Sequence, residues 1–237
     1  MNHFHTNTEE YSLIFTSGAT AAIKLLLENF NWDAKENEDD FFDASSEISE
    51  VEKGAYIYTQ SNHTSIIGGR EIAALNNVPF FCLSYDESFS ILSNCIPHKI
   101  HRHVSNSIFA YPAQCNFSGR KYPLDWIWKV QNGALDTYGL GRKRNSKWFC
   151  LLDAATYCST NDLNLAVLKP DFVCISFYKI FGYPTGLGAL LVRNSSSFVL
   201  DKKYFGGGTV EISLPKQNYH KLRSVLHERY VKINIKV

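Results

Sequence analysis

The stretch "SFYKIFGYPTG" (residues 176–186) sets Lys179 between aromatics and an isoleucine, directly behind an apolar run that begins at Phe172. An amine so placed has two readings. It can be a surface lysine whose stem lies on apolar neighbours while its head stays in water, or a nucleophile activated by burial for Schiff-base chemistry. "LLDAATY" (151–157) likewise puts Asp153 behind an apolar run, as a helix cap or as the partner of a buried cation. "TSGAT" (16–20) passes from a strand-like run into a helical one, where free backbone N–H groups and the helix dipole could hold an anion. It lacks both GxxxxGK[ST] and GxGxxG spacing, so a plain small-residue helix start fits it as well. "QSNHTSIIGGR" places His63 on a loop after a strand, where a structural histidine is the ordinary outcome. His98, His101 and His103 in "PHKIHRH" have no cysteine or carboxylate at ligand spacing, which favours a solvated loop over a zinc site.

Each of these features is ambiguous alone, but their combination is narrower. An anion cradle at Gly18, Ala19 and Thr20, a carboxylate at Asp153, and Ser176 with Lys179 at another strand end are the parts that pyridoxal 5'-phosphate requires. The cradle would take the phosphate, the carboxylate the pyridinium nitrogen, and the lysine the Schiff base.

The elements that must position these residues are legible in outline. "YSLIFT" (11–16) reads as a strand, and the spacing of Ala22, Ile23, Leu26, Leu27 and Phe30 predicts a helix after it. "AYIYTQ" predicts a second strand, residues 65–76 a second helix, and "PFFCLSY" a third strand. Further strands are expected at 107–113, 147–153 and 172–178, with a helix opening at "PLDWIWKV", where Pro123 suits a first turn. Alternating strands and near-continuous apolar runs imply an α/β domain with a mainly parallel sheet and helices on both faces. In such sheets ligands bind at the carboxyl ends of the strands, where the polar motifs after Phe15, Tyr58 and Ala113, at Leu152–Asp153 and after Phe177 fall. The acidic stretch 33–53 has no sustained period and reads as an exposed insertion.

Composition excludes several function classes. The 237 residues carry a net charge of +1, giving no field for nucleic acid or a membrane surface. No run approaches the ~20 apolar residues of a membrane span, and the start has no leader pattern, so a cytoplasmic protein is expected. Cysteines at 82, 95, 115, 150, 158 and 174 show no metal-type spacing and read as reduced core residues, with Cys115, Cys150 and Cys174 in strands. The N-x-S/T triplets at Asn62, Asn116 and Asn194 read as accidental.

The blocks "YSLIFTSGATAAIKLL", "SNHTSIIGGRE", "FSGRKYPLDWI", "LLDAATYCST", "DFVCISFYKIFGYPTGLGALLVRN" and "YFGGGTVEISL" resemble class V aminotransferase-fold proteins, the group that includes cysteine desulfurases. More narrowly, they are similar to the amino-terminal desulfurase-type domains of molybdenum cofactor sulfurases. The resemblance implies the large domain of a pyridoxal phosphate-dependent transferase over residues 1–214. It also implies cofactor bound as an aldimine at Lys179, paired at its ring nitrogen with Asp153, stacked by His63 and held through its phosphate by Gly18, Ala19, Thr20 and Ser176. Asn116 and Thr156 are implied near the phenolic oxygen or the substrate, and Gly206–Gly208 with Thr209 near a dimer-related site. L-cysteine is the implied substrate and the molybdenum cofactor the implied sulfur acceptor, with a possible homodimer and no nucleic-acid or membrane partner.

The segment 215–237, with six Lys/Arg against Glu228 alone, reads as a divergent basic tail. Together with the internal start it suggests a truncated form in which the persulfide-carrying cysteine is not identifiable. Such a chain is expected to hold the cofactor without completing turnover. Two alternatives follow: a catalytically silent chain that binds the cofactor or a full-length partner, and another cysteine desulfurase-type enzyme.

Overall fold

A computed structural model describes residues 1–33, 53–93, 105–136, 138, 146–182 and 186–230. Nearly all of the expected acidic insertion, the histidines of "PHKIHRH", and Cys95 lie outside these residues.

In chain order the main elements are β1 (Tyr11–Thr16), α1 (Ala19–Asn29), β2 (Tyr56–Thr59), α2 (Thr64–Ile67), α3 (Gly69–Leu75), β3 (Phe80–Leu83) and α4 (Tyr85–Ser93). They continue with β4 (Ser105–Pro112), α5 (Trp126–Gln131), β5 (Ser146–Asp153), α6 (Leu165–Leu168), β6 (Phe172–Ser176), α7 (Phe177–Phe181) and β7 (Gly188–Arg193). A hairpin of β8 (Val210–Leu214) and β9 (Tyr219–Leu222) and the short α8 (Leu226–Tyr230) close the described chain.

Strands β1 to β7 form one sheet in the order β1-β7-β6-β5-β4-β2-β3. Its ladders are parallel from β6 through β5, β4 and β2 to β3. Strand β7 alone is reversed, pairing antiparallel with β1 on one side and β6 on the other. Every other strand therefore points its carboxyl end the same way, and the motifs that follow those ends meet at one edge.

Strand β4 shows why the runs are continuously apolar. Phe109 and Tyr111 face a core with Trp126, Trp148 and Val173, while Ile108 and Ala110 face a second core with Leu26, Phe149 and Phe172. A strand buried on both faces carries no polar alternation. Helix α1 presents Ala22, Ile23, Leu26 and Leu27 to the second core, the stripe expected from their spacing.

Several expectations need adjustment. The helix expected over 65–76 is two pieces, α2 and α3, parted at Gly68. There Gly69 allows close approach, since a Cβ would sit 2.6 Å from Leu27 Cδ1 and 2.7 Å from the Tyr56 hydroxyl. Strand β6 ends at Ser176, and the next five residues coil into α7, which stops at Gly182 in the left-handed region (φ 68°). Lys179 thus stands on a helical turn beyond the strand. Strand β7 escapes a reading by alternation because its central residues are buried on both faces. Cys115 lies past the end of β4, in a tight turn. The segment after Leu214 contributes β9, paired to β8, and α8, whose Leu226 is buried in the second core.

Candidate active site

Residues 16–20 leave the end of β1, turn at Gly18 (φ 131°, ψ 171°) and enter α1. Thr16 Oγ1 donates to the Gly18 carbonyl at 2.8 Å, and no side chain among the described residues caps the helix, which leaves its first-turn N–H groups open. The turn is pressed against β7: a Cβ at Gly188 would lie 2.5 Å from the Gly18 carbonyl carbon. Thr20 Oγ1 reaches Ser65 Oγ at 2.7 Å.

At the end of β6, Ser176 is 1% exposed and its Oγ has no hydrogen-bond partner among the described residues. A buried hydroxyl facing a cleft without a partner is costly in isolation and is satisfied by an incoming acceptor. At the end of β5, Asp153 is 8% exposed; its Oδ1 accepts the Ala155 N–H at 3.0 Å. Burial raises its pKa, opposed by the Ala155 N–H, Cys174, and the charges of Lys179 and His63. A carboxylate so desolvated is stabilised by a cationic N–H close to it.

Lys179 projects from α7 so that Nζ donates to Asn116 Oδ1 at 2.7 Å and to Thr156 Oγ1 at 3.1 Å. Thr156 Oγ1 donates to the same Asn116 oxygen at 3.1 Å. Asn116 is presented by the turn after β4, closed by the Cys115 N–H to Arg120 carbonyl bond at 2.9 Å. The apolar wall expected around the amine is therefore replaced by a polar clamp. Of the flanking aromatics, Tyr178 lines the same cleft with its ring centroid 6.0 Å from Nζ, whereas Phe177 and Phe181 stack on each other with centroids 6.0 Å apart and line an apolar hollow with Met1, Phe4 and Leu13. Turning 177–181 into helix, rather than strand, sends Phe177, Ile180 and Phe181 to that hollow while Tyr178 and Lys179 face the cleft.

All these groups line one cleft of ≈ 200 Å³: Gly18, Ala19, Thr20, His63, Asn116, Asp153, Thr156, Ser176 and Lys179. Gly206–Gly208 and Thr209 are not among its lining residues. They form the turn that leads into β8, where Thr209 Oγ1 donates to the Gly206 carbonyl at 2.7 Å. Gln114 and Tyr178 also line the cleft and escaped the sequence reading, although each is next to a residue or strand end already singled out. Ser65 escaped it as well, because only the fold brings it to Thr20.

The thiols near the cleft are poor nucleophiles. Burial pushes Cys158 up to about 12 and raises Cys150 and Cys174 well above the usual thiol range. Cys115 differs: burial raises it, but hydrogen bonds from Ser118 and Phe117 and the Arg120 charge outweigh that and lower it overall. It is nevertheless 5% exposed.

A largely parallel sheet covered on both faces, with lysine, aspartate and an open helix start converging at its carboxyl edge, defines an α/β domain of the kind found in cysteine desulfurases. The cystine C-S lyase C-DES, solved with its product cysteine persulfide, superposes with a TM-score of 0.68 at 14% identity, over 97% of this chain and 52% of the lyase. The apo cysteine desulfurase of Thermococcus onnurineus NA1 gives 0.65 at 18% identity, over 97% of this chain and 49% of its own. The aminotransferase class-V family model matches residues 2–227, and the chain belongs to that family. Its sequence relatives are molybdenum cofactor sulfurases: that of Bombyx mori is 42% identical over 234 residues, covering 97% of this chain and 27% of the silkworm protein. That of Homo sapiens is 41% identical over 237 residues, covering 96% of this chain and 24% of the human protein. The chain spans about a quarter of the length of these relatives. No helix among the described residues is long and apolar enough to cross a membrane.

Proposed function

We propose that this chain is the pyridoxal phosphate-binding, cysteine desulfurase-type part of a molybdenum cofactor sulfurase, taking sulfur from L-cysteine for delivery to the molybdenum cofactor. The observation that carries this reading is the meeting in one cleft of Lys179, Asp153 and a Ser176 hydroxyl that has no partner among the described residues. The similarity of nearly the whole chain to molybdenum cofactor sulfurases narrows it to that chemistry.

The residues present fit the cofactor. The open N–H groups of α1 and the unpartnered Ser176 hydroxyl suit a phosphate. The buried Asp153 suits a protonated ring nitrogen, His63 a ring face, and Asn116 with Thr156 a phenolic oxygen. When bound, the cofactor supplies an electron sink beside the Cα of an amino acid. The chain's own contribution is to place charge and protons around that sink. Asp153 would hold a proton on the ring nitrogen, because its loss would leave a buried anion unpaired. Lys179 Nζ would anchor the cofactor covalently and, as a free amine, would take up the substrate Cα proton. Asn116 Oδ1 and Thr156 Oγ1 hold the free amine in the cleft. Cys150, Cys158 and Cys174, with their pKa values raised by burial, are unsuited to accept sulfur, so this reading assigns that step to another thiol.

Purified protein supplemented with pyridoxal phosphate is expected to show a visible absorbance band that survives desalting, and Lys179→Ala is expected to abolish it. Absence of the band, or a band indifferent to Lys179→Ala, overturns cofactor binding at this lysine. Sulfide release from L-cysteine, measured beside reactivation of a desulfo molybdenum hydroxylase, separates a molybdenum cofactor sulfurase from a general desulfurase.

A further inference from the structure

His63 caps the one-turn helix α2 with its own ring. Nδ1 accepts the backbone N–H of Ser65 at 3.2 Å and lies 2.8 Å from Ser65 Oγ. Ser65 Oγ in turn lies 2.7 Å from Thr20 Oγ1, on the first turn of α1. Three side chains from two strand-to-helix junctions are thus strung on one line of hydrogen bonds.

The direction of that line is fixed by its one unambiguous donor. A backbone N–H aimed at Nδ1 needs a lone pair there, and a proton on Nδ1 would meet it head-on. Nδ1 is therefore an acceptor, and Ser65 Oγ–H, the nearer group, donates to it. With its own proton so used, Ser65 Oγ accepts from Thr20 Oγ1–H. In a neutral imidazole one nitrogen carries the proton when the other accepts, and the bond made by one decides the state of the other.

Resting on the reading of this cleft as a pyridoxal phosphate site, we propose that Ser65 is a positioning residue that holds His63 as the Nε2–H tautomer and ties it to Thr20 at the start of α1. His63 then meets a cofactor or substrate in the cleft as an N–H donor, with Nδ1 already engaged. The same chain commits the Thr20 hydroxyl proton to Ser65, which leaves the α1 backbone N–H groups and Ser176 Oγ–H as the donors to an anion. Proton transfer by His63 accordingly runs through Nε2.

Ring ¹⁵N spectra of histidine-labelled full chain, without added cofactor and with the imidazole neutral, test this directly; His63→Gln identifies the His63 signals by their loss. The expected wild-type pattern is a protonated Nε2 and a bare Nδ1. Ser65→Ala is expected to bring in a second population protonated at Nδ1, Ser65→Thr to restore the single pattern, and Thr20→Val to shift the Nδ1 signal less than Ser65→Ala does. A wild-type His63 protonated at Nδ1 overturns the proposal. So do His63 signals unchanged by Ser65→Ala in a protein that circular dichroism shows to be folded. Should Ser65→Ala fail to fold, Ser65→Thr and Thr20→Val decide: a Thr20→Val spectrum identical to wild type breaks the chain, and a Ser65→Thr protein protonated at Nδ1 removes the hydroxyl from its role. Because no cofactor is present, these outcomes are separate from the absorbance test, which can fail while the tautomer stands.

Discussion

At the scale of single residues, Asp153 shows function and stability pulling apart. Its folded pKa is raised by burial above the ordinary 3.8, so the folded state keeps a proton that the unfolded chain has already lost. Proton uptake then favours the folded state, and its stability falls as pH rises from about 4 through the raised value. Asp153→Asn, neutral at every pH, is expected to be more stable than wild type without cofactor. That advantage is absent at the acid end and grows with pH, as urea midpoints measured along a pH series will show. On the proposed reading the same change removes the anion that would face the ring nitrogen, and a charge-assisted bond of about 1.5–3 kcal/mol corresponds to a roughly ten- to hundredfold weaker affinity for pyridoxal phosphate, read by absorbance titration. Ser176→Ala deletes a buried hydroxyl that has no partner among the described residues, so it is expected to raise the urea midpoint of the cofactor-free chain while weakening pyridoxal phosphate binding about tenfold. Lys179 and Asp153 were legible in the sequence because each follows an apolar run. Ser65 was not, since its bonds to Thr20 and His63 depend on two loops meeting. The polar clamp on Lys179 was hidden too, because Asn116 and Thr156 come from other strand ends.

Among the elements, β7 decides where the site sits. It enters the sheet against the direction of all the others, and its first residue, Gly188, lies under the turn at Gly18. A side chain at 188 would collide with backbone on both sides, since a Cβ would also approach the Ile175 carbonyl to 2.7 Å. Backbone yields less readily than a flexible side chain, so Gly188→Ala is expected to cost about 1–3 kcal/mol in chemical denaturation. It should also weaken cofactor binding by displacing the turn that opens α1. The parallel strands could be read from sequence because burial on both faces writes them as apolar runs bounded by polar loops. The direction of β7 could not, because "GALLVR" carries the same apolar signature whichever way it runs. The break between α2 and α3 was hidden for a related reason: Gly69 answers to Leu27 and Tyr56, which are distant in sequence.

For the whole molecule, two cores clasp one sheet, and the β8–β9 hairpin stands outside both. Burial through β8 and β9 is slight, and Ile212, Leu214 and Tyr219 are exposed. Hydrogen exchange is therefore expected to be slowest in β4 and β5, which have neighbours on both edges and a core on each face, and orders of magnitude faster in β8 and β9. Equal protection of the hairpin and β5 would contradict this division. The strand order has a further meaning when the chain is considered as it emerges in time. The turn that opens α1 is among the first segments made, yet it rests on Gly188 of β7, the one strand paired with β1 and the last of the sheet to be made. Contacts so distant in sequence form late in folding. A nascent chain halted before Gly188 would already hold Asp153 and Lys179 but could not close the cradle beside them. Uptake of the cofactor thus reports that the whole sheet has been synthesised and has folded.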